Sequence, residues 1–559
     1  MKLLKNNVIS IELMKKNIVV TLLILSFSVS AWSVEQQASI VKNMDIYNAI
    51  WRELSINYVD TINYDQLNKT AIDRMLQKLD PYTVYIPESE EDDLKMMTTG
   101  AYGGIGAMIT QKGDFVCISE PYEGMPAQKN DVRAGDLILE LNGKSMKGKK
   151  TSEVSQLLRG SQGTEIELVL QRPGEKKPIK KHFLREVIQI DPVEYYGMVG
   201  DSTGYIALRD FTDKTTVEFR DAMADLTQNR GMKNLVIDLR NNGGGLVSEA
   251  INIAGMFLPK HSLVVNMKGI QPQNNKSYKT MSEPLYPNMP LVILVNTNSA
   301  SASEILAGVF QDMDRAVVLG ERTYGKGLVQ TVRRLPHNTY LKVTTSKYYI
   351  PSGRCVQAID YAHRNEDGSI GRIPDSLTTE FTTRNGRKVR DGGGILPDTL
   401  LKRRDQVNIS YYLFVKNIFF DYATEFVQTH NTIAAPDTFL MSDEVYDEFV
   451  KYVLDRKFTY KLESEGMIQE LKNMAKVEGY EQESAAAFEA LEAVLRPNVD
   501  RDLRLFRKDV EALLSSEIIR RYYFQKGVIK YELRFDTWLH EAVKMVNDDA
   551  LCRQLLQTK

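Results

Sequence analysis

The chain has 559 residues, a mass of 63.6 kDa and a net charge of −2, with 43% hydrophobic and 26% charged residues. At roughly 100–200 residues per domain, this length predicts three to five domains rather than a single core. A charge so close to zero excludes an overall basic field that would draw the protein to nucleic acid or to an anionic membrane surface. The three cysteines form no CxxC pair and have no histidine cluster nearby, which argues against a zinc site or a disulfide framework: Cys117, Cys355 and Cys552.

The N-terminus has the features of a secretory signal. Two lysines precede an apolar run over residues 18–27, and small residues follow through Ala31 and Ser33. The apolar run is short for a membrane span of about 20 residues, and no cysteine follows it for a lipid anchor. We therefore expect residues 1–33 to be a signal peptide and the protein to be exported.

Four further regions differ in pattern. Residues 34–97 are predicted to be helical, since apolar residues recur every fourth position from Leu67 to Leu79. Short strands and turns fill residues 98–187. Strands and helices alternate over residues 188–400, and residues 401–559 are polar and helical.

The region 188–400 is predicted to form an α/β layer structure, because short continuous apolar runs alternate with helical segments. The predicted strands include residues 205–208, 235–237, 291–295 and 316–319, and the predicted helices 216–226, 247–257 and 303–310. In the C-terminal region, Ser442 is a predicted cap for a helix that ends at Asp455, and a second helical pattern covers residues 500–524.

The first candidate site is the segment Asn296–Glu304, with serines at 299, 301 and 303. It follows an apolar run and precedes a predicted helix. A serine at such a turn lies where free backbone N–H groups and the helix dipole favour a developing negative charge. For the segment by itself, helix capping is the simpler interpretation, since serine and asparagine are favoured N-cap residues.

The second candidate is Glu321–Gln330, which places Lys326 between two glycines. A lysine acts as a base only when it is neutral, and lowering a lysine pKa from about 10.4 by ~3 units takes about 4 kcal/mol of desolvation. Gln330 could orient the amine through a hydrogen bond. For the segment by itself, a surface lysine in a glycine turn is the simpler interpretation.

The third candidate is Asp238–Gly245, in which three glycines follow a predicted strand. Glycines let the backbone approach a ligand and expose N–H groups, as an oxyanion or anion site requires. A phosphate loop is disfavoured because the GxxxxGK[ST] pattern is missing. The six histidines are scattered, with no HExxH or GxSxG, although a Ser–His–Asp triad can assemble from distant residues.

Together these motifs resemble the C-terminal processing (tail-specific) peptidase family, over roughly residues 40–400. The quoted segments occur in family order: Leu79–Thr83, Gly103–Gly106, Asp238–Gly245, Ser299–Glu304, Gly320–Gln330, Thr344–Gln357 and Gly394–Asp398. The resemblance implies a multidomain α/β fold. Its parts would be a crotonase/ClpP-like protease core, a β-rich PDZ domain, an N-terminal helical region and a C-terminal helical domain.

The resemblance also implies the catalytic residues. Ser301 falls on the family's nucleophile, Lys326, 25 residues later, on its general base, and Gln330 on the partner that orients the lysine. Two acidic residues that match family positions would have supporting roles, Glu304 and Asp312.

The oxyanion hole would consist of the Ala302 backbone N–H and one from Gly244 or Gly245. Gly243 departs from the family, since many members have proline there. No metal or cofactor is implied.

The β-rich segment resembles a PDZ domain. Its carboxylate-binding turn would comprise Gly104, Ile105, Gly106 and Ala107. Such a module adds the C-terminal strand of a substrate to a sheet edge and holds the carboxylate on backbone N–H groups. A small β module without a ligand is the alternative.

These features predict an exported serine endopeptidase that binds the C-terminal tails of proteins, with periplasmic residence expected if the cell has two membranes. Two alternatives are a non-catalytic PDZ scaffold and a crotonase-like acyl-transfer enzyme. The expected partners are protein or peptide substrates rather than nucleic acid. An adaptor or activator protein, the oligomeric state and the substrates' identity stay open.

Overall fold

The structure is a computed structural model, and it describes residues 37–361, 370–402 and 408–557. The predicted signal peptide, residues 1–33, lies outside these ranges. The chain divides into two compact units, Met1–Pro81 and Tyr82–Lys559.

The described part of the first unit consists of two helices, α1 (37–57) and α2 (Tyr64–Leu76). Asn63 is the N-cap of α2, and its side chain accepts a hydrogen bond from the Gln66 N–H. This bond satisfies one of the donors that a helix leaves unpaired at its start.

The second unit opens with β1 (Val84–Ile86) and α3 (Glu91–Thr99), and α3 ends at Gly100, which has a φ of 65°. A left-handed residue of this kind is a common helix stop, and glycine adopts it without steric cost.

A β-rich module follows. Its elements are β2 (Ala101–Gly104), β3 (Ala107–Lys112), β4 (Phe115–Pro121), α4 (Pro126–Lys129), β5 (Leu137–Leu141), β6 (Lys144–Ser145), α5 (Thr151–Leu158), β7 (Glu165–Gln171), β8 (Ile179–Leu184) and β9 (Glu186–Gln189). The main sheet has the order β3-β4-β5-β7-β8, with β6 on β5, while β2 pairs with β9. Alternating side chains of β7 are buried beneath α5, so period-2 patterning builds this small core.

The next region begins with β10 (Val193–Val199), β11 (Thr203–Leu208), α6 (Thr215–Ala224), β12 (Asn234–Asp238), α7 (Val247–Gly255), β13 (Leu263–Lys268), β14 (Lys276–Lys279), β15 (Leu291–Val295), α8 (Ala302–Asp312) and β16 (Val317–Gly320). Its remaining elements are β17 (Leu328–Arg334), β18 (Tyr340–Tyr349), β19 (Glu380–Thr382), β20 (Lys388–Arg390) and β21 (Thr399–Leu400).

These strands form the predicted α/β layers. One sheet has the order β10-β11-β12-β15-β16-β21, and all of its pairs except β10 with β11 are parallel. The helices α6, α7 and α8 pack on this sheet in the largest hydrophobic core. The predicted strands at 205–208, 235–237, 291–295 and 316–319 all lie in it, because near-continuous apolar runs are typical of strands covered on both faces.

A second sheet of this region has the order β1-β18-β13-β14, with β17 also on β18. Val84 lies opposite Lys342, so β1 adds to a strand about 250 residues later in the chain. The expectation that residues 34–97 form one helical region is therefore wrong for Val84–Ile86. Pairing with a distant strand decides the conformation of so short a segment.

The C-terminal region contains α9 (Ile409–Val415), α10 (Ile418–Thr429), α11 (Asp443–Asp455), α12 (Glu463–Val477), α13 (Glu481–Leu495), α14 (Val499–Leu505), α15 (Arg507–Glu532), α16 (Thr537–Asn547) and α17 (Asp549–Leu556). The Ser442 side chain accepts a hydrogen bond from the Val445 N–H, so the predicted cap is confirmed. The predicted helix over 500–524 is divided: α14 ends before Phe506, and Phe524 breaks the helical path of α15 with a φ of 53°.

The C-terminal helices pack in two places. Helices α9 to α11, α14 and α15 share a core of their own, as a separate helical domain would. Leu539, Ala542 and Val546 of α16 instead pack against Val236, Val292 and other residues on the second face of the parallel sheet. The predicted domain boundary at residue 401 therefore separates α16 and α17 from the parallel sheet that they cover.

Candidate active site

Three sequence motifs meet at one edge of the parallel sheet. They follow β12, β15 and β16, whose carboxyl ends lie at the same edge. The Ala300 N–H donates to Asn242 O at 3.0 Å, and the Tyr324 N–H donates to Ser299 O at 3.0 Å. A cavity of about 630 Å³ opens here, and its lining includes Ser301, Lys326, Gln330 and the three glycines 243–245.

The environment of the three serines distinguishes Ser301 from its neighbours. The hydroxyls of Ser299 and Ser303 are buried and donate to the carbonyls of Leu239 (2.7 Å) and Asn242 (3.0 Å). Ser301 is half-buried, lines the cavity and directly precedes α8. Its backbone has a φ of 58° and a ψ of −115°, a sparsely populated conformation for a residue with a side chain. Such strain is typical of functional sites.

The fully buried Glu304 joins the serine segment to the lysine segment. Its carboxylate accepts hydrogen bonds from the backbone N–H groups of Ser301, Gly325 and Lys326 at 3.0, 2.8 and 2.8 Å. It also accepts one from the Thr323 hydroxyl at 2.5 Å. Burial raises the pKa of Glu304, and these four bonds oppose that shift. One side chain thus fixes the backbone on both sides of the cavity.

Lys326 lies on a turn whose flanking residues must be small. Gly325 has a φ of 89°, and a Cβ atom there would lie 2.3 Å from Ala358 Cβ. The Lys326 Nζ lies 4.3 Å from the centroid of the Tyr82 ring, within the range of a cation–π contact. Burial raises the pKa of Tyr82 well above its usual range, so this ring carries a neutral hydroxyl.

Gln330, the predicted orienting residue, lies on β17 and lines the same cavity. Its Nε2 donates to Thr344 Oγ1 on β18 at 3.2 Å. The Thr83 hydroxyl also hydrogen-bonds to Thr344: it donates to Thr344 Oγ1 and accepts from the Thr344 N–H. An orienting contact from Gln330 to Lys326 therefore stays a prediction.

The glycine loop packs directly on the serine turn. The Gly244 N–H donates to Asn242 Oδ1 at 2.8 Å, and Asn242 is fully buried. Because this donor is already engaged within the loop, Gly245 is the better of the two predicted glycine donors. Gly245 and Ala302, the first residue of α8, stay the predicted oxyanion pair.

We expect Gly244→Ala to lower kcat on the order of 10²-fold, the effect that a misplacement of about 1 Å produces. Gly244 has a φ of 102°, and a Cβ atom there would lie 2.7 Å from Ser301 Cβ and 2.9 Å from Ala302 N. The added methyl group must therefore displace the serine turn. Steady-state cleavage of a peptide reporter measures the effect.

Gly243→Ala is the matched control for this prediction. A Cβ atom on Gly243 meets nothing within 4 Å, so near-normal turnover is expected. Equal losses in both variants would contradict the packing argument.

Two residues that sequence reasoning missed also belong to the site. The Tyr348 hydroxyl donates to the Ser301 carbonyl at 3.2 Å from a fully buried position. Lys342, on β18, lines the cavity as a second lysine, and burial lowers its pKa. The motif containing Tyr348 was visible in the sequence, but no local pattern indicates that β18 returns to the serine.

The other candidates lie apart from the cavity lined by Ser301 and Lys326. Asp312 pairs with buried Arg354 at 2.8 Å near the end of α8, a structural role. None of the five histidines within the described ranges lines the cavity, and His363 lies outside those ranges.

The predicted carboxylate-binding turn joins β2 to β3. Gly106 has a φ of 71°, and a Cβ atom there would lie 2.4 Å from Met125 Cβ. The carbonyls of Ile105 and Gly106 accept hydrogen bonds from Ala127 (2.8 Å) and Tyr122 (2.9 Å). The Ile105 side chain is buried, so a bound tail would meet the backbone here. Strand β3 pairs with β4 and is the last strand of its sheet among the described residues.

Family models match three parts of the chain. Residues 202–362 match peptidase family S41, residues 117–172 match the PDZ domain, and residues 409–546 match the C-terminal helical domain of probable PDZ-proteases.

Individual proteins are also similar to this chain. A probable CtpA-like serine protease of Staphylococcus aureus is 35% identical over 341 residues, which are 60% of this chain and 66% of that protein. The chain thus spans just under two thirds of the length of that relative. A solved photosystem II D1 C-terminal processing protease is 29% identical with a TM-score of 0.36, covering 64% of this chain and 86% of that one.

A carboxy-terminal-processing protease of Bartonella bacilliformis is 34% identical over 321 residues, which are 57% of this chain and 73% of that protein. With the serine, lysine and glycine motifs brought to one cavity beside a PDZ domain, the chain belongs to peptidase family S41, among the carboxy-terminal-processing proteases.

Proposed function

We propose that this protein is an exported serine endopeptidase that hydrolyses peptide bonds with a Ser301–Lys326 dyad. One observation carries the proposal: Ser301 shares a cavity with Lys326, and the buried Glu304 binds the backbone of both. A scaffold that only bound tails would not need this connection.

The dyad would act through an acyl-enzyme. Neutral Lys326 accepts the Ser301 hydroxyl proton while the oxygen attacks a backbone carbonyl, and the N–H groups of Ala302 and Gly245 hold the oxyanion. Lys326 then gives the proton to the leaving amine as the C–N bond breaks. Water, deprotonated by the same amine, hydrolyses the ester and restores the serine.

The PDZ domain would supply the substrate. A tail extends the sheet at the edge of β3 that no described strand covers, and the backbone N–H groups of the Gly104–Ala107 turn bind its carboxylate. This mode recognises a free C-terminus by its backbone, so it suits many protein substrates.

Export is the expected location. The N-terminal pattern supports it, and periplasmic residence follows for a cell with two membranes. No helix in the residues that the structure describes is long and apolar enough to cross a lipid bilayer.

The test is cleavage of an unfolded reporter protein that carries an apolar C-terminal tail. We expect the purified protein to cut it, and a C-terminal amide to raise KM about tenfold with kcat unchanged. The amide removes charge-assisted hydrogen bonds worth about 1.5–3 kcal/mol each. Mass spectrometry of the products and initial rates measure both effects.

Two glycine variants locate the tail site. Gly106→Ala should raise KM as the amide does, because the turn has no room for a methyl group. Gly113 also has a positive φ (59°) but has nothing within 4 Å, so Gly113→Ala is the control. Tail binding without any cleavage would favour the scaffold alternative.

A further inference from the structure

A helical hairpin in the C-terminal region is largely solvent-exposed. It consists of α12 and α13, which are joined by a turn at Gly479 with a φ of 87°. All of residues 463–495 are described, and among them only Ile468 is buried. The two helices therefore pack mainly on each other and leave most of their surface open.

The packed and open faces can be assigned from helical geometry. The less exposed residues form the seam between the helices: Ser464, Ile468, Lys472 and Ala475 on α12, and Ser484, Phe488, Glu492 and Leu495 on α13. At about 100° per residue, a second set lies roughly 90° from the seam in the same rotational sense on both helices. In an antiparallel pair, equal offsets place both sets on the same side.

This second set is apolar and exposed. Its members, with their exposed fractions, are Met467 (61%), Leu471 (54%), Met474 (59%), Leu491 (43%) and Val494 (69%). We call these five residues the hairpin face. Methionine side chains are flexible and are over-used at surfaces that accept varied helices. An apolar surface of this kind, rimmed by polar groups, marks an interaction site.

The border of the hairpin face is acidic. The hairpin contains eight glutamates and two lysines, a net charge of −6. Both lysines pair within the hairpin, Lys472 with Glu492 at 2.6 Å and Lys476 with Glu481 at 3.5 Å. Beside the face, Glu463, Glu470 and Glu483 form no ion pair with any described residue.

We propose that the hairpin face binds a basic amphipathic helix of a partner protein. Apolar side chains of that helix would pack on the methionines and leucines, and its flanking lysines or arginines would pair with the free glutamates. A second copy of this chain would bring two acidic borders together, and an anionic membrane would repel the same border.

The probe is a synthetic 20-residue helical peptide with leucines on one face and lysines elsewhere, with a matched peptide in which glutamate replaces lysine. The protein is the Ser301→Ala variant, so that the peptides stay intact if the proposed peptidase activity holds. We expect the lysine peptide to bind, and the glutamate peptide to bind at least about tenfold more weakly. Fluorescence anisotropy measures both affinities.

Variants of the hairpin separate the apolar contact from charge. Leu471→Glu should weaken binding of the lysine peptide by at least about tenfold, although it adds a negative charge. Met467→Glu should do the same. Gln469→Glu adds the same charge on the other side of α12 and should leave binding unchanged. Circular dichroism and thermal unfolding show that each variant is folded.

Three results would overturn the proposal. One is equal binding of the two peptides, and another is equal loss in Leu471→Glu and Gln469→Glu. The third is either of two observations that Leu471→Glu abolishes. One is a concentration-dependent dimer in analytical sedimentation, and the other is binding to anionic lipid vesicles. That result would assign the hairpin face to self-association or to a membrane.

Discussion

Ser301→Ala is expected to lower kcat for the tailed reporter by at least about 10⁴-fold, the loss that follows removal of a nucleophile. In the proposed mechanism the Ser301 hydroxyl supplies the atom that forms the acyl-enzyme. The hydroxyls of Ser299 and Ser303 are engaged with backbone carbonyls. Neither neighbour can take its place without breaking that bond. Tail binding should persist, since the PDZ turn lies in another domain.

Ser303→Ala is the control, because it removes a hydroxyl two residues away. It loses one buried hydrogen bond to Asn242, so we expect about 1 kcal/mol less stability and retention of most turnover. Denaturant unfolding and initial rates measure the two effects. Full activity in Ser301→Ala, together with loss of turnover in Ser303→Ala, would contradict the assignment of Ser301 as the nucleophile.

Lys326→Arg is expected to lower kcat by about 10³-fold at every pH at which the protein stays folded. Only a neutral amine can accept the serine proton, and a guanidinium does not lose its own proton in this range. The backbone N–H of residue 326 still binds Glu304, so the serine turn should keep its shape. Single-turnover acylation across a pH series measures the loss.

Lys342 provides the matched control for this prediction. It lines the same cavity, and burial lowers its pKa, as a general base would require. Glu304 does not bind its backbone, and it lies on β18 rather than on the glycine turn. We expect Lys342→Arg to keep kcat within about tenfold, since it removes no group that takes part in the proton transfer. Loss of turnover in Lys342→Arg alone would transfer the role of base to Lys342.

Much of the fold follows from local sequence patterns. Continuous apolar runs mark the strands β11, β12, β15 and β16, because parallel strands are covered on both faces. Ser442 marks the start of α11, since a cap acts within three residues of itself. The family resemblance assigns the three motifs to one site, and the structure brings them to one edge because the carboxyl ends of parallel strands lie together.

Other features depend on contacts between distant segments. Val84–Ile86 is a strand because it pairs with β18. Helix α16 covers the second face of the parallel sheet, and the sequence pattern of α16 does not indicate which surface it packs against. The bond from Gly244 to Asn242 likewise needs the folded loop, and it disfavours one of the two predicted oxyanion donors.

The sequence by itself indicated the family, the serine, lysine and glycine motifs and the main layers. Periodicity and caps are local properties, and the order of the motifs is visible along the linear chain. The tertiary structure decided which of the three serines lines the cavity and how Glu304 joins the serine segment to the lysine segment. It also placed Lys342 in the lining of the cavity that contains Lys326. These depend on packing and hydrogen bonds between segments far apart in the chain, and local propensity carries no information about such partners.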